Sequence, residues 1–240
     1  MRYPRFLSLM LFAGAAATAG NSVYTARIED AKAQYLTRAS FAVHADGAGD
    51  DTAVIQAAID KVEETAGEGV LFIPEGRYRI THTVFVWPGV RIIGYGKTRP
   101  VMVLSDRTPG YDKGVADMFF YAGFRMRQPR GDAAAAPPGG MALGSFRFPD
   151  PPPGAVPPAR IPDANPGTFY SAMSNVDFEI GEGNGGAVAV RFHAAQHAFL
   201  AHIDFHLGSG LAGIHDAGNE GEDLHFYGGR YGILTKKPSP

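Results

Sequence analysis

The C-terminal third of the chain repeats a short alternation of apolar and polar residues, and this repeat restricts the fold more than any other feature. The alternation occurs at 176–180, 203–207 and 224–227, so the first step is 27 residues and the second is 21. Such alternation predicts strands with one buried face. A second series of strands is predicted at 187–192, 211–214 and 231–234. A step of about two dozen residues that carries several strands is typical of a solenoid.

The N-terminal half adds one helix and a series of short strands. Apolar residues recur at helical spacing from Asp51 to about residue 66, with Asp50 or Asp51 available as a cap and Gly67 available to end the helix. Short β-rich runs follow at 70–73, 78–80, 84–87, 90–93 and 101–104. We therefore expect an all-β fold, a single-stranded right-handed parallel β-helix with an N-terminal capping α-helix that covers the edge of its first rung.

The first nineteen residues have the pattern of an export signal. Arg2 and Arg5 give a positive start, an apolar run covers 6–19, and residues 17–19 are small at both ends. The run is shorter than the roughly 20 residues that span a membrane. This pattern predicts a signal peptide at 1–19 and a secreted or periplasmic protein that has no membrane contact after signal removal.

The remaining chain divides into an N-terminal extension at 20–40 and a β-helix domain at 41–240. Eleven of the eighteen prolines lie between Pro129 and Pro166. Proline removes backbone donors, so this composition predicts a Pro/Gly-rich surface insertion at about 125–168. The insertion is either a disordered excursion or a lid over a substrate groove.

Charge and composition exclude several classes of partner. Lys and Arg number 22 against 24 Asp and Glu, which leaves no basic surface for nucleic acid, and no cysteine is present to form a disulfide or a thiolate. Six of the eight histidines lie between His193 and His225. The pairs His193/His197 and His202/His206 would stand about 13 Å apart on strands. We therefore predict no metal and no cofactor.

Inward-facing apolar residues in the repeat leave two polar columns on the outside. One column contains Asp177, Asp204 and His225, and the other contains Glu179, His206 and Tyr227. Glycosidic cleavage needs one protonated acid and a second group that activates water or attacks, and stacked like charges favour the protonated form of one carboxyl. We predict Asp204 and Glu179 as catalytic carboxylates. The predicted substrate-binding residues are His193, Gln196, His206, Asp177, His225 and Tyr227.

Two N-terminal stretches resemble the opening of the pectate-lyase-like superfamily of β-helix proteins. Residues 43–59 are VHADGAGDDTAVIQAAI and residues 69–78 are GVLFIPEGRY, similar to the family's Gly-Asp-Gly-x-x-Asp-Asp-Thr cap and Phe-Pro-x-Gly-x-Tyr strand. The resemblance covers about 41–96 and implies the right-handed β-helix fold.

The later part of the chain, 169–235, resembles the first β-helix of glycoside hydrolase family 55, the β-1,3-glucanase-type enzymes. Such enzymes usually carry two β-helices, so the resemblance implies that a second β-helix domain is missing from this chain. Residues 191–196 are similar to a family strand with the pattern Trp-Gln-x-Ala-Gln, which implies a substrate contact for Gln196, whereas Phe192 and His193 differ from the pattern. The family's acid Glu lies in its downstream half and falls on no residue here.

These features predict a secreted carbohydrate-active protein with a polysaccharide substrate, a glycoside hydrolase toward a β-glucan or related cell-wall polysaccharide. One alternative is a polysaccharide lyase, which needs a base and cations near a uronic acid; Arg191 and Arg230 are the nearby cations. The other alternative is a non-catalytic polysaccharide-binding β-helix. One fold hosts many chemistries, so the fold does not choose among them.

Overall fold

The computed structural model describes residues 19–125, 161–218 and 220–235. Almost all of the predicted signal peptide and residues 126–160 of the predicted insertion lie outside the described residues. The helix α1 is Thr52–Ala66. The strands are β1 Gln34–Tyr35, β2 Asp46–Asp50, β3 Gly69–Pro74, β4 Arg77–Arg79, β5 Val84–Val86, β6 Val90–Tyr95, β7 Val101–Leu104, β8 Ala116–Tyr121, β9 Ala172–Ser174, β10 Asp177–Ile180, β11 Ala187–Arg191, β12 Phe199–Gly208, β13 Ala212–His215, β14 Glu220–Gly228 and β15 Tyr231–Leu234.

The named strands pair in parallel and form a right-handed β-helix, as predicted. A five-stranded sheet has the order β15-β13-β11-β8-β5, and a ten-stranded sheet has the order β1-β3-β6-β9-β12-β10-β7-β4-β2, with β14 against β12. Strand β12 pairs with β9 near its start and with β10 near its end. The ten-stranded sheet therefore supplies two faces of each rung, and the five-stranded sheet supplies the third.

The corner between the two faces of the ten-stranded sheet is made by residues in the left-handed region. Asn175, His202 and Asp223 have φ values of 59°, 55° and 51°. Positive φ is uncommon outside glycine, although Asn, Asp and His adopt it more readily than most residues. Because β12 and β14 continue through this corner, both faces of each later rung belong to one strand.

Stacked aromatic residues form the core behind the second face. Phe178 and Phe205 pair in register and their ring centroids are 5.4 Å apart. Phe205 and Phe226 also pair in register, with centroids 4.9 Å apart. Phe178 and Phe205 are fully buried. Since side chains alternate along a strand, their neighbours in sequence point outward.

The predicted helix is confirmed, and it packs against the first rungs through Ile55, Ile59 and Val62. Gly67 ends it in the left-handed conformation, and its N–H bonds to the carbonyl of Glu63. The start differs in detail from a simple cap. Asp51 occupies the N-cap position, but its carboxylate accepts hydrogen bonds from the backbone of His44 and Ala45. Asp50 accepts the hydrogen bond from the N–H of Thr52.

The N-terminal extension and the end of the predicted insertion also pack onto the β-helix. Residues 20–24 run beside 96–99, and β1 joins the sheet at β3. The end of the predicted insertion is ordered: Ala122 forms an antiparallel bridge with Asp163, and Ala164 is buried. The part of the insertion from 161 onward therefore belongs to the packed structure.

Candidate functional site

The strand register produces the two predicted polar columns. Asp204 pairs with His225, Glu179 with His206, and His206 with Tyr227. Because Phe178 pairs with Phe205, Asp177 precedes Asp204 in the first column. With the corner residues, these columns make three stacked rows on the outside of β10, β12 and β14. We call this surface the outer array: Asn175, Asp177 and Glu179; His202, Asp204 and His206; Asp223, His225 and Tyr227.

Asp177 is the buried carboxylate of the outer array, with a relative exposure of 1%, and lies beside Asn175, which is also buried. It accepts hydrogen bonds from the backbone N–H of Gly20 at 2.7 Å and of Asp204 at 2.9 Å. The Nη1 of Arg99 lies 3.2 Å from an oxygen of Asp177 and 3.2 Å from an oxygen of Asp204. The sequence predicted like-charge repulsion between these two carboxylates. In the structure the guanidinium of Arg99 lies between them and offsets that repulsion.

The more exposed carboxylates of the array contact histidines. The Nδ1 of His225 lies 2.9 Å from Asp204, and its Nε2 lies 3.5 Å from Asp223. The Nδ1 of His202 lies 2.8 Å from Asp223. The hydrogen bond from His202 is the largest cause that lowers the pKa of Asp223 below its usual value, with the nearby charges of His225 and Arg99 adding to it. The half-exposed His225 is thus positioned between two carboxylates.

The second column is held by an ion pair and a ring stack. Glu179 accepts a hydrogen bond from the Nη2 of Arg77 at 2.8 Å. The ring of His206 stacks on Tyr227 with centroids 4.8 Å apart, and Tyr227 is about half exposed. Among the described residues, the Nε2 of His206 has no hydrogen-bond partner. Tyr227 therefore presents an aromatic ring beside acid–base groups, as sugar-binding surfaces often do.

A groove of about 590 Å³ lies across the corner from the array. Its lining includes Tyr24, Ser174, His202, Glu220 and Glu222. His202 belongs to both the groove and the outer array, so a bound chain in the groove would reach the His202–Asp223 pair.

His193 and Gln196 lie elsewhere. They follow β11 of the five-stranded sheet, and the predicted strand 187–192 ends at Arg191. His193 has its Nδ1 3.4 Å from Asp163, and Gln196 is exposed. No contact in the described part of the chain joins either residue to Asp204 or Glu179. The strand-pattern similarity placed them on an extended strand, but the chain leaves the sheet before position 193.

A second charged cluster surrounds Arg191. Its guanidinium bonds to Asp163 at 2.6 Å and to Asp216 at 2.9 Å, and it contacts the ring of His215. The hydrogen bond that Arg191 donates to Asp163 is the largest cause that raises the pKa of Arg191. Since Asp163 lies at the ordered end of the insertion, this cluster ties the insertion to β11 and β13.

The histidine pairs do not share a ligand position. His197 stacks on Tyr170 with centroids 5.2 Å apart, while His202 bonds to Asp223. Within residues 19–125, 161–218 and 220–235, no group of three potential ligands is arranged to hold a metal ion.

Arg99 and Arg77 were missed by the sequence reasoning. Arg99 is 78 residues before Asp177 and lies on the other side of the insertion, so no repeat spacing connects them. A signal was nevertheless present for Arg77. It directly precedes the predicted strand 78–80 and lies two residues before Arg79, at an outward position of an earlier rung.

Comparison with known proteins agrees with this architecture. Residues 39–121 match a family described as rhamnogalacturonase A/epimerase, pectate lyase-like. The match confirms the pectate-lyase-like resemblance over that range, which contains the capping helix and the first rungs. The part of the chain that it covers is about a third of the whole, and a particular closeness to glycoside hydrolase family 55 is not supported by it.

Individual relatives are more distant. A stretch of 106 residues is 33% identical to the mannuronan C5-epimerase AlgE3 of Azotobacter vinelandii, but it spans only 5% of that protein. The A-module of the mannuronan C-5 epimerase AlgE4 of Azotobacter vinelandii is 14% identical, with 84% of this chain and 50% of that chain covered and a TM-score of 0.42. PfbA, a surface adhesin of Streptococcus pneumoniae, is 15% identical, with 82% and 38% covered and a TM-score of 0.49.

The fold of this chain is established by its own strand pairing. The chain covers half or less of each of these relatives, so activities of the whole relatives are not properties of this chain. In the described ranges, no helix is long and apolar enough to cross a membrane.

Proposed function

We propose that the protein acts on a polysaccharide that lies over the outer array, and that the reaction is hydrolysis of a neutral glycan such as a β-glucan. The observation that carries this proposal is the Asp204–His225 pair, 2.9 Å apart, on the same open sheet face as Glu179. The names of the matched family and of the 33% identical relative, an epimerase of mannuronan, support a polysaccharide substrate.

The proposed chemistry divides acid and base between the two columns. His225, held by Asp204, donates a proton to the departing sugar oxygen, because histidine is the side chain that most often acts as a general acid. Glu179, held by Arg77, activates the attacking water. Glu179 lies two strands and two residues away from His225, about 12 Å between Cα positions. That separation leaves room for a water molecule between the acid and the base, as inverting glycosidases require.

Charge favours a neutral substrate over a polyuronate. Among the described residues of the array, Asp177, Glu179, Asp204 and Asp223 contribute four carboxylates, and Arg77 and Arg99 pair with them. The adjoining groove adds Glu220 and Glu222. Negative charge at close range repels an anionic chain by several kcal/mol at worst, whereas a glucan has no such penalty.

Proton abstraction at C5 of a uronic acid is the second candidate. It is favoured by the side-by-side placement of His225 and Tyr227, whose ring centroids are 6.5 Å apart, since that reaction needs a base and a proton donor. A lyase would use the same first step. The roles predicted for His193 and Gln196 in substrate binding stay predictions, as does export to the periplasm or medium.

The test is a substrate panel with three readouts. A β-1,3-glucan and a mixed-linkage β-glucan are assayed for reducing ends, and mannuronan and pectate are assayed for ultraviolet-absorbing products and for solvent-hydrogen exchange at C5. We expect reducing ends from a glucan, with inversion at the anomeric carbon. Unsaturated products or C5 exchange would replace the hydrolase proposal, and binding without any product would favour a non-catalytic protein.

Variants assign the roles. Asp204→Asn and His225→Gln should each lower kcat by roughly 10²- to 10⁴-fold, the usual contribution of a positioned acid or base. The matched control is His82→Gln, because His82 is an exposed histidine in the turn between β4 and β5. Equal activity of all three variants would contradict the assignment.

A further inference from the structure

The segment 20–24 is fixed onto the body by backbone hydrogen bonds. The N–H of Arg99 bonds to the carbonyl of Gly20 at 3.1 Å, and the N–H of Gly96 bonds to the carbonyl of Tyr24 at 2.9 Å. The N–H of Val23 bonds to the side chain of Asn175 at 2.9 Å. These contacts hold Gly20 against the body through the 20–24 segment, residues 96–99 and Asn175.

The backbone nitrogen of Gly20 points into a charged cluster formed by Arg99 and three carboxylates of the outer array, Asp177, Asp204 and Asp223. It donates to Asp177 Oδ2 at 2.7 Å, the shortest contact of that buried carboxylate. A methyl group added to Gly20 would lie 3.1 Å from Arg99 Nη1 and 3.1 Å from Asp204 Oδ2. Glycine is therefore the residue that fits here without displacing a neighbour.

The cluster has an excess of negative charge. Within the described residues, Asp177, Asp204 and Asp223 surround the single guanidinium of Arg99. His202 contacts Asp223 and His225 contacts Asp204. The charged partner of Asp177 is Arg99, and Gly20 donates a backbone hydrogen bond to it. Carboxylates that are removed from water need opposite charge as well as hydrogen bonds. A backbone amide at Gly20 supplies one donor and no charge.

We propose that the Ala19–Gly20 bond is a processing site whose product, the α-ammonium group of Gly20, forms an ion pair with Asp177 and completes this cluster. A leader peptidase hydrolyses the bond: water adds its oxygen to the carbonyl of Ala19, the C–N bond breaks, Ala19 leaves as a carboxylate, and the nitrogen of Gly20 takes both protons of the water molecule. The new ammonium group has three donors and a positive charge at 2.7 Å from Asp177 Oδ2. The proposal does not depend on which reaction the outer array performs.

The alternative is that the amide N–H alone is sufficient and that Arg99 satisfies the cluster. Under that alternative, a charge on Gly20 would not change the stability of the fold. The structure allows a clean comparison, because Ala19 is already accommodated next to Gly20. A chain that keeps Ala19 therefore retains the fold and the N–H but moves the charge away.

The experiment compares three forms of the protein: one that begins at Gly20, one that begins at Ala19, and one that begins at Nα-acetyl-Gly20. Each is measured for its midpoint of thermal unfolding at pH 7, without substrate. We expect the Gly20 form to unfold at least about 4 °C higher than the other two, as an ion pair of ordinary buried strength would produce. Equal midpoints for the three forms would overturn the proposal.

A second readout follows the amine itself. Acetic anhydride is added to the Gly20 form, and acylation of the α-amine is compared by mass spectrometry with that of exposed Lys97 in the same molecule. We expect the α-amine to react at least about tenfold more slowly when folded than in urea, because an ion-paired ammonium does not acylate. Unchanged reactivity would contradict the ion pair. In Asp177→Asn, or in Asp204→Asn if the first variant does not fold, the protection should decrease.

Discussion

Asp177 and Glu179 lie on the same strand, β10, and face the same side of the sheet, but they differ in burial and in their partners. Asp177 is buried and accepts N–H donors from Gly20, Asp204 and Arg99. Glu179 is exposed at the level of 23% and has one ion pair, with Arg77. We expect Asp177→Asn to destabilise the fold strongly and Glu179→Gln to have little effect on stability.

The magnitudes follow from burial. Removal of one partner from a buried ion pair typically costs about 3–5 kcal/mol. Asparagine has nearly the same volume as aspartate and retains one acceptor oxygen, and Arg99 retains its ion pair with Asp204. We therefore expect Asp177→Asn to lower the free energy of unfolding by about 2–4 kcal/mol. An ion pair as exposed as that of Glu179 contributes about 0–1 kcal/mol.

The assay is urea unfolding followed by the fluorescence of the single tryptophan, Trp87, which is buried against the capping helix. At the usual urea dependence, the Asp177→Asn midpoint should decrease by about 1 M, with the slope unchanged. A loss below about 1 kcal/mol, or a loss no larger than that of Glu179→Gln, would refute a structural role for Asp177.

Three further predictions concern the core, the helix start and a close backbone contact. Phe205→Ala should cost about 3–5 kcal/mol in urea unfolding, more than Phe226→Ala on the half-buried last rung; equal losses would contradict the ring stack. Burial opposes ionisation of Asp50, but hydrogen bonds from two threonines outweigh it and lower its pKa, so its stabilisation is present above pH 3.8 and is lost as pH falls below that value. Asp50→Asn should therefore reduce the pH dependence of the free energy of unfolding below pH 3.8. An unchanged pH dependence would refute the role of Asp50 at the helix start. Gly94→Ala would place a methyl group on the carbonyl oxygen of the next rung, so little soluble, folded protein should be recovered; a normal melting curve would contradict that packing.

Much of the fold could be predicted because strand periodicity is local. Alternation at 203–207 places Phe205 inward and Asp204 outward, whatever the rest of the chain does. The capping helix has its own apolar face and its own glycine end. The two polar columns follow from these local patterns, once the rungs are stacked in register.

The features that the sequence did not predict depend on contacts between distant residues or on backbone conformation. Arg99 reaches Asp177 across the insertion, and no spacing in the sequence encodes that contact. The corner at His202 and Asp223 uses positive φ at residues other than glycine, so the sequence did not mark that β12 and β14 continue around it. His193 leaves the sheet because β11 ends at Arg191, where the side chain turns to Asp163 and Asp216.

Histidine resonances test most directly whether the outer array is the carbohydrate site. The chain has eight imidazoles: His202, His206 and His225 lie on the array, and His44 and His82 lie near the capping helix and the first rung. A β-1,3-glucan hexasaccharide is titrated into Glu179→Gln, which should bind without turnover, and imidazole Cε1–H shifts are recorded. We predict saturable shifts at His206 and His225 and none at His44 or His82. Shifts confined to His193, just after β11, and His215 on the five-stranded sheet, or none at all, would contradict the assignment.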